Sequence, residues 1–233
     1  MHHSALRVIR DEHASLAAML QSMRMMIERG PSEDRRNFFD VVRAMLFYID
    51  EFPERLHHPK ESDLLFPRIA RVAPHVMATI ERLESDHMTG EVRVRELMHL
   101  LMAWEYLGET RRAAFEADAT RYVQFYLNHM RLEETVLLPE AEKSLTDDDW
   151  HALNVAFATH RDPLNEKGAR DPQFDRLFTR IVMRAPARTG PSRPDRGGPS
   201  ALLAASADAA SRPVTSPRAS RALTTRFSRA ASN

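Results

Sequence analysis

The chain has no cysteine. That excludes disulfides, thiolate nucleophiles, zinc-finger sites and cysteine-ligated iron–sulfur clusters together, so any metal must be held by nitrogen and oxygen. Glycine is scarce, seven in 233 residues, and three of these (Gly190, Gly197 and Gly198) lie near the end. A glycine-poor body rich in Leu, Met, Ala, Arg and Glu favours helices over hairpins. Neither sign of charge is in excess, with 33 basic against 33 acidic residues. Nothing therefore points to a nucleic-acid surface or to an acidic cation buffer. No stretch approaches the ~20 apolar residues of a membrane helix, and the N-terminus lacks the apolar core of a secretory signal. The expectation is a soluble, cytoplasmic protein with neither nucleic acid nor membrane as partner. Its oligomeric state is left open.

Helical periodicity runs through the body. Leu6, Ile9, His13, Leu16, Leu20 and Met23 recur at three- and four-residue steps, which predicts a helix from about Ser4 to Glu28. Ser32 is a plausible N-cap for a second helix from about Glu33. Pro53 and Pro59 predict a bend or interruption between Tyr48 and Ile69, because a proline inside a helix removes a backbone hydrogen bond. A third helix is expected from Pro74 to Leu107 and a fourth from Glu109 to Lys143. A shorter fifth starts at Thr146 or Asp147 and ends near His160. Past Ala185 there is no Lys, Glu, His or Met, and Pro, Ser, Ala, Gly and Arg dominate without an apolar period. Such a segment buries too little surface to offset the cost of ordering. The chain therefore divides into a helical bundle over 1–165, a short helical extension over 166–184 and a disordered tail over 185–233.

Within the bundle, two HxxxE pairs stand out: His57 with Glu61 and His129 with Glu133. Each is followed by a proline, Pro67 or Pro139, and all three landmarks recur at an offset of 72. Upstream, "DEH" at His13 and "SDH" at His87 recur at an offset of 74. The chain reads as a duplicated unit, a helix with one His followed by a helix with HxxxE. Residues at i and i+4 share a helix face, so each pair offers an imidazole and a carboxylate to one point. Two such helices, with two more donating one His each, would make the cage of a dinuclear carboxylate site. Oxygen and nitrogen donors suit iron or manganese, with zinc allowed on affinity alone.

Other residues have weaker claims. An ideal helix turns His58 about 100° away from His57, and a kink at Pro59 would bring it nearer. Glu91 follows His87 at four residues and repeats the HxxxE spacing. Tyr126 precedes His129 by three residues, so it is either a core tyrosine or a group that serves the metal site as ligand, hydrogen-bond donor or proton relay. Gly90 either leaves space beside the metals or permits close helix packing. Met19, Met23, Met45 and Met130 are core filler or the lining of an apolar pocket.

The segments "DEH", "HHPKESDLLFP", "SDHMTGE" and "NHMRLEETVLLP" make residues Ser4 to Lys143 resemble the hemerythrin and HHE cation-binding family. The resemblance implies an all-α, antiparallel up-down four-helix bundle, here with a short fifth helix. It implies a non-haem, oxo- or hydroxo-bridged centre of two Fe ions, Mn or Zn being the lesser alternatives. Glu61 and Glu133 would be bridging carboxylates, and His13, His57, His87 and His129 terminal ligands. Oxygen-carrying members have a further His where this chain has Glu91, and an Asp five residues after the last His where this chain has Glu133 at four. Some members of the H–HxxxE–H–HxxxE type decompose peroxide. The expected metal set is thus His13, His57, Glu61, His87, Glu91, His129 and Glu133, with Tyr126 as a catalytic proton relay and a peroxide or small diatomic molecule as ligand. The reading favoured is a catalase-like diiron protein. The alternatives are a module that binds or senses dioxygen, nitric oxide or iron without turnover, and a structural bundle with a vestigial site.

Overall fold

The computed structural model describes residues 4–31, 34–159, 162, 177, 180 and 181, and all its regular elements are helical. Helix α1 is Ser4–Arg29. It ends at Gly30, whose φ of 71° is left-handed and whose N–H bonds back to the carbonyls of Met26 and Ile27. Helix α2 spans 35–72, α3 is Met77–Leu107, α4 spans 112–144, and α5 is Asp147–Ala158. Short 3₁₀ turns, Pro74–Val76 and Glu109–Arg111, lead into α3 and α4. Asp34, rather than the expected Ser32, caps α2 by accepting from the Asn37 N–H. Ser32 lies outside the described residues, as do His160, the tail over 185–233 and most of the extension over 166–184.

The prolines do not interrupt α2. The rod stays helical but changes pitch, with π turns at Asp50–His57 and Glu61–Leu65 around a single α turn at His58–Lys60. Helix α4 has a matching π turn at Glu133–Leu137. In each HxxxE segment the π turn begins at the Glu, and Pro67 or Pro139 falls in the first α turn after it. A proline ring clashes with the carbonyl four residues back. The wider turn, bonding i to i+5, takes up the misfit without a break.

Helix α1 packs against α2 and α4, and α3 against the same two, closing an up-down bundle; α5 packs along α1. The core lies in two apolar clusters. One gathers Leu20, Met23, Met45, Trp104, Phe115 and Tyr122. The other gathers Leu6, Ile9, Phe66, Leu83, Leu137 and Phe157. The four methionines Met19, Met23, Met45 and Met130 belong to the first, as core residues. Between the two clusters every helix of the bundle contributes a buried polar residue: His13, His57, Glu61, His87, His129 and Glu133. No helix among the described residues is long and apolar enough to cross a membrane.

Helix α5 closes one side of this layer, with the Phe157 ring edge-on to His57 at 6.3 Å between centroids. Its start is fixed by a capping box. The Asp149 N–H donates to Thr146 Oγ1 at 3.2 Å, the Thr146 hydroxyl donates to Asp149 Oδ2 at 2.7 Å, and Arg71 reaches Asp149 from α2. Loss of such a cap costs about 0.5–2 kcal/mol. Asp149→Ala should lower the melting temperature by several degrees, at about 2–4 °C per kcal/mol. An unchanged calorimetric melt would show that α5 does not depend on its cap.

Candidate metal centre

The two carboxylates occupy the middle of the layer, and their four oxygens divide between two sides. His57 Nε2 is 3.2 Å from Glu61 Oε1, and His13 Nε2 is 3.2 Å from Glu133 Oε2. On the other side His87 Nε2 is 3.6 Å from Glu61 Oε2, and His129 Nε2 is 3.5 Å from Glu133 Oε1. Each carboxylate thus gives one oxygen to each pair of imidazoles. Within the pairs, His13 and His57 have their Nε2 atoms 3.3 Å apart, and His87 and His129 have theirs 3.2 Å apart.

The outer ring nitrogens explain why Nε2 faces inward. His57 Nδ1 lies 2.7 Å from Glu12 Oε2, and His13 Nδ1 lies 3.0 Å from Glu134 Oε1. A carboxylate only accepts, so both Nδ1 atoms carry the proton. Ser62 donates its hydroxyl to Glu84, so it accepts from His87 Nδ1–H, both at 2.9 Å. His129 Nδ1 points toward Asp86 at 3.6 Å, an ion-pair distance. Outer partners of this kind fix a metal-binding imidazole's tautomer and leave the Nε2 lone pair for a cation.

The electrostatics of the cluster call for positive charge. Burial works against protonation of every imidazole here. At His13 the carboxylates of Glu133 and Glu134 outweigh it and push the pKa up to about 9. Glu61 and Glu12 likewise hold His57 well above the usual range. His87 stays far below the usual range through burial and the neighbouring His58. Glu61 is buried, yet His57, His13 and His87 hold its carboxyl far below the ordinary value. Neither oxygen of Glu61 or Glu133 has a hydrogen-bond partner, although all four are buried. An ionised carboxylate buried without donors costs several kcal/mol unless a cation compensates it. Hard oxygens bridging two imidazole pairs suit a pair of iron, manganese or zinc ions.

Glu91 is not brought to this cluster. Its side chain is 49% exposed and pairs with Arg95 at 2.6 Å. The buried seam of α3 runs Leu83, His87, Gly90, Val94, Leu97, so after His87 the inward step is three residues, not four. The position the sequence assigns to Glu91 belongs to Gly90. A Cβ there would strike the Tyr126 hydroxyl and come within 2.9 Å of Glu54 Oε1. The glycine therefore serves close packing, and the room it leaves is filled by that pair.

Glu54 was not singled out from sequence. It is buried, accepts hydrogen bonds from the hydroxyls of Tyr126 and, at 3.4 Å, Tyr122, and sits 3.0 Å from His58 Nδ1. Burial pushes its pKa up to about 7 against the opposing pull of the two tyrosines. The repeat held a signal for it, since Glu54 and Tyr126 stand 72 residues apart, the offset of the HxxxE pairs. Tyr126 is buried and protonated at neutral pH, its pKa raised far above 10 by burial and by Tyr122 and Glu54. Its hydroxyl faces Glu54 rather than Glu61 or Glu133. His58 is buried too, and one of its ring nitrogens groups with Glu61, His87 and His129 within 4.8 Å. A second group of this kind is His13, His57 and Glu61.

Adding iron(II) to metal-free protein should raise its melting temperature by several degrees, since a ligand at a hundred times its Kd contributes about 2.7 kcal/mol. Glu61→Ala and Glu133→Ala should abolish that gain and the bound metal. Glu91→Ala should change neither, and a loss of metal there would return Glu91 to the ligand set. Gly90→Ala should lower the urea midpoint even though alanine gains about 1 kcal/mol in helix propensity; a raised midpoint would mean that Tyr126 moves aside freely.

Comparison with curated proteins finds no match. The family model described as the hemerythrin HHE cation binding domain matches residues 4–141, more than half the chain and a span that holds all six residues of the central cluster. The chain belongs to the hemerythrin HHE cation-binding domain family.

Proposed function

We propose that this protein holds two iron ions between its imidazole pairs and decomposes peroxide or another small oxidant. The observation that carries the proposal is the buried Glu54–Tyr122–Tyr126 group against the cluster. Reversible binding of a small molecule needs no acid of this kind. Peroxide disproportionation does, because one molecule gives up two electrons and two protons as it becomes dioxygen, and a second takes up both as it becomes two waters. Bound iron supplies the electron storage for that exchange.

The chain's own residues supply the rest. His13, His57, His87 and His129 with Glu61 and Glu133 would hold the two ions. Glu54, buried beside the cluster, takes up and returns a proton at its carboxylate, and the Tyr126 hydroxyl orients it by donating to it. This gives Glu54 the relay role expected of Tyr126, whose hydroxyl positions it instead. The apolar clusters above and below exclude water and keep reactive species from leaking away.

Iron-loaded protein should evolve oxygen from peroxide well above the rate of the same concentration of free iron. Glu54→Gln, whose amide oxygen can still accept from His58 Nδ1, should lower that rate about 100-fold, the low end for a positioned acid–base group, and Tyr126→Phe should lower it less while leaving iron content unchanged. A rate no higher than free iron defeats the proposal. A reversible optical change on adding oxygen or nitric oxide to the reduced protein, without turnover, would identify a carrier or sensor instead.

A further inference from the structure

We infer that His58 is a fifth imidazole ligand, which makes the two metal positions unequal: His13 and His57 on one side, His58, His87 and His129 on the other. The inference rests on the reading of the cluster as a two-metal centre.

Three observations support it. The first is position. His58 offers a ring nitrogen that lies, with ligand atoms of Glu61, His87 and His129, within one 4.8 Å group, while the other side groups only His13 and His57 with Glu61. The second is the shared pattern of outer bonds. His58 Nδ1 lies 3.0 Å from Glu54 Oε2, just as His57 Nδ1 meets Glu12 and His13 Nδ1 meets Glu134. With Nδ1 engaged on a carboxylate, Nε2 is the nitrogen left for the cluster. The third is confinement. The His58 ring stacks on His87 with centroids 4.2 Å apart and planes 11° from parallel, and on Tyr126 at 5.7 Å and 8°. A buried imidazole locked on three sides does not swing to another partner.

The backbone explains how adjacent residues both reach the site. On an ideal helix His57 and His58 would point about 100° apart. Here His57 ends one π turn, and a second begins only four residues later, at Glu61. A turn that bonds i to i+5 holds more residues and so sets a smaller angle between neighbours. Both imidazoles are buried as a result, at 3% and 4% exposure.

The test is anaerobic titration of metal-free protein with iron(II), followed by Mössbauer spectroscopy of the oxidised, ⁵⁷Fe-loaded protein. Wild type should take up two equivalents and give two quadrupole doublets of equal area. His58→Ala should weaken one site at least tenfold, leave the other unchanged, and shift or remove only one doublet. His58→Gln, which keeps most of the volume and can still donate to Glu54, should do the same, so that a folding defect in the alanine variant does not decide the matter. His99→Ala, exposed on α3, is the control and should match wild type. Two unchanged sites and two unchanged doublets in both variants overturn the assignment of His58 alone, as does equal weakening of both sites. A wild-type protein that takes up no iron overturns the two-metal reading and the His58 assignment with it.

Discussion

Two carboxylates lie at the centre of this bundle with no donor on any of their four oxygens. Everything around them is arranged to make that tolerable. A buried carboxylate would ordinarily be satisfied by backbone N–H groups or by an arginine, and neither is within reach. Imidazoles surround the oxygens instead, with their Nε2 atoms turned inward. Glu12, Glu134, Ser62 and Asp86 on the outside prevent the rings from turning away. A cation held there would therefore add its binding free energy to the stability of the bundle. The two apolar clusters on either side hold the helices at the spacing the centre requires.

Placing such a layer in mid-bundle has a geometric requirement. Each HxxxE helix must give a ligand, advance one turn and give another, and then return to apolar packing. The π turns that begin at Glu61 and Glu133 meet it. They add a residue's worth of rotation next to a ligand, where a local change of pitch alters which side chains face inward. That the same device occurs in both halves, each with a proline just beyond it, ties the backbone irregularity to the site rather than to chance.

The helices and the candidate ligands are legible because they obey simple periods. His13, His57, Glu61, His87, His129 and Glu133 stand out by a repeated spacing that solvated faces would not keep. The number and order of the helices follow from apolar stripes and caps. What was not legible depends on local pitch. Glu91 fits the i+4 spacing of a ligand, but the α3 seam steps by three, through Gly90. The bend expected at Pro53 and Pro59 became a change of winding, and that same winding brings His58 inside. Glu54 carried no motif of its own; only alignment of the repeat with itself sets it opposite Tyr126. Residues whose role comes from a neighbouring helix, such as Glu12 on His57, are invisible to any rule that reads along one strand of sequence.

The duplication is faithful at the two HxxxE pairs and unfaithful one turn before them. At equivalent places in the two halves stand Glu54 and Tyr126, an acid and a phenol, and they meet across the bundle. Two identical halves would have placed like against like: two acids repelling each other, or two hydroxyls with no strong acceptor. Divergence at this position turns a mirror into a handshake. The cage thereby has a chemically distinct wall, and a molecule entering it meets a direction rather than a symmetric hollow.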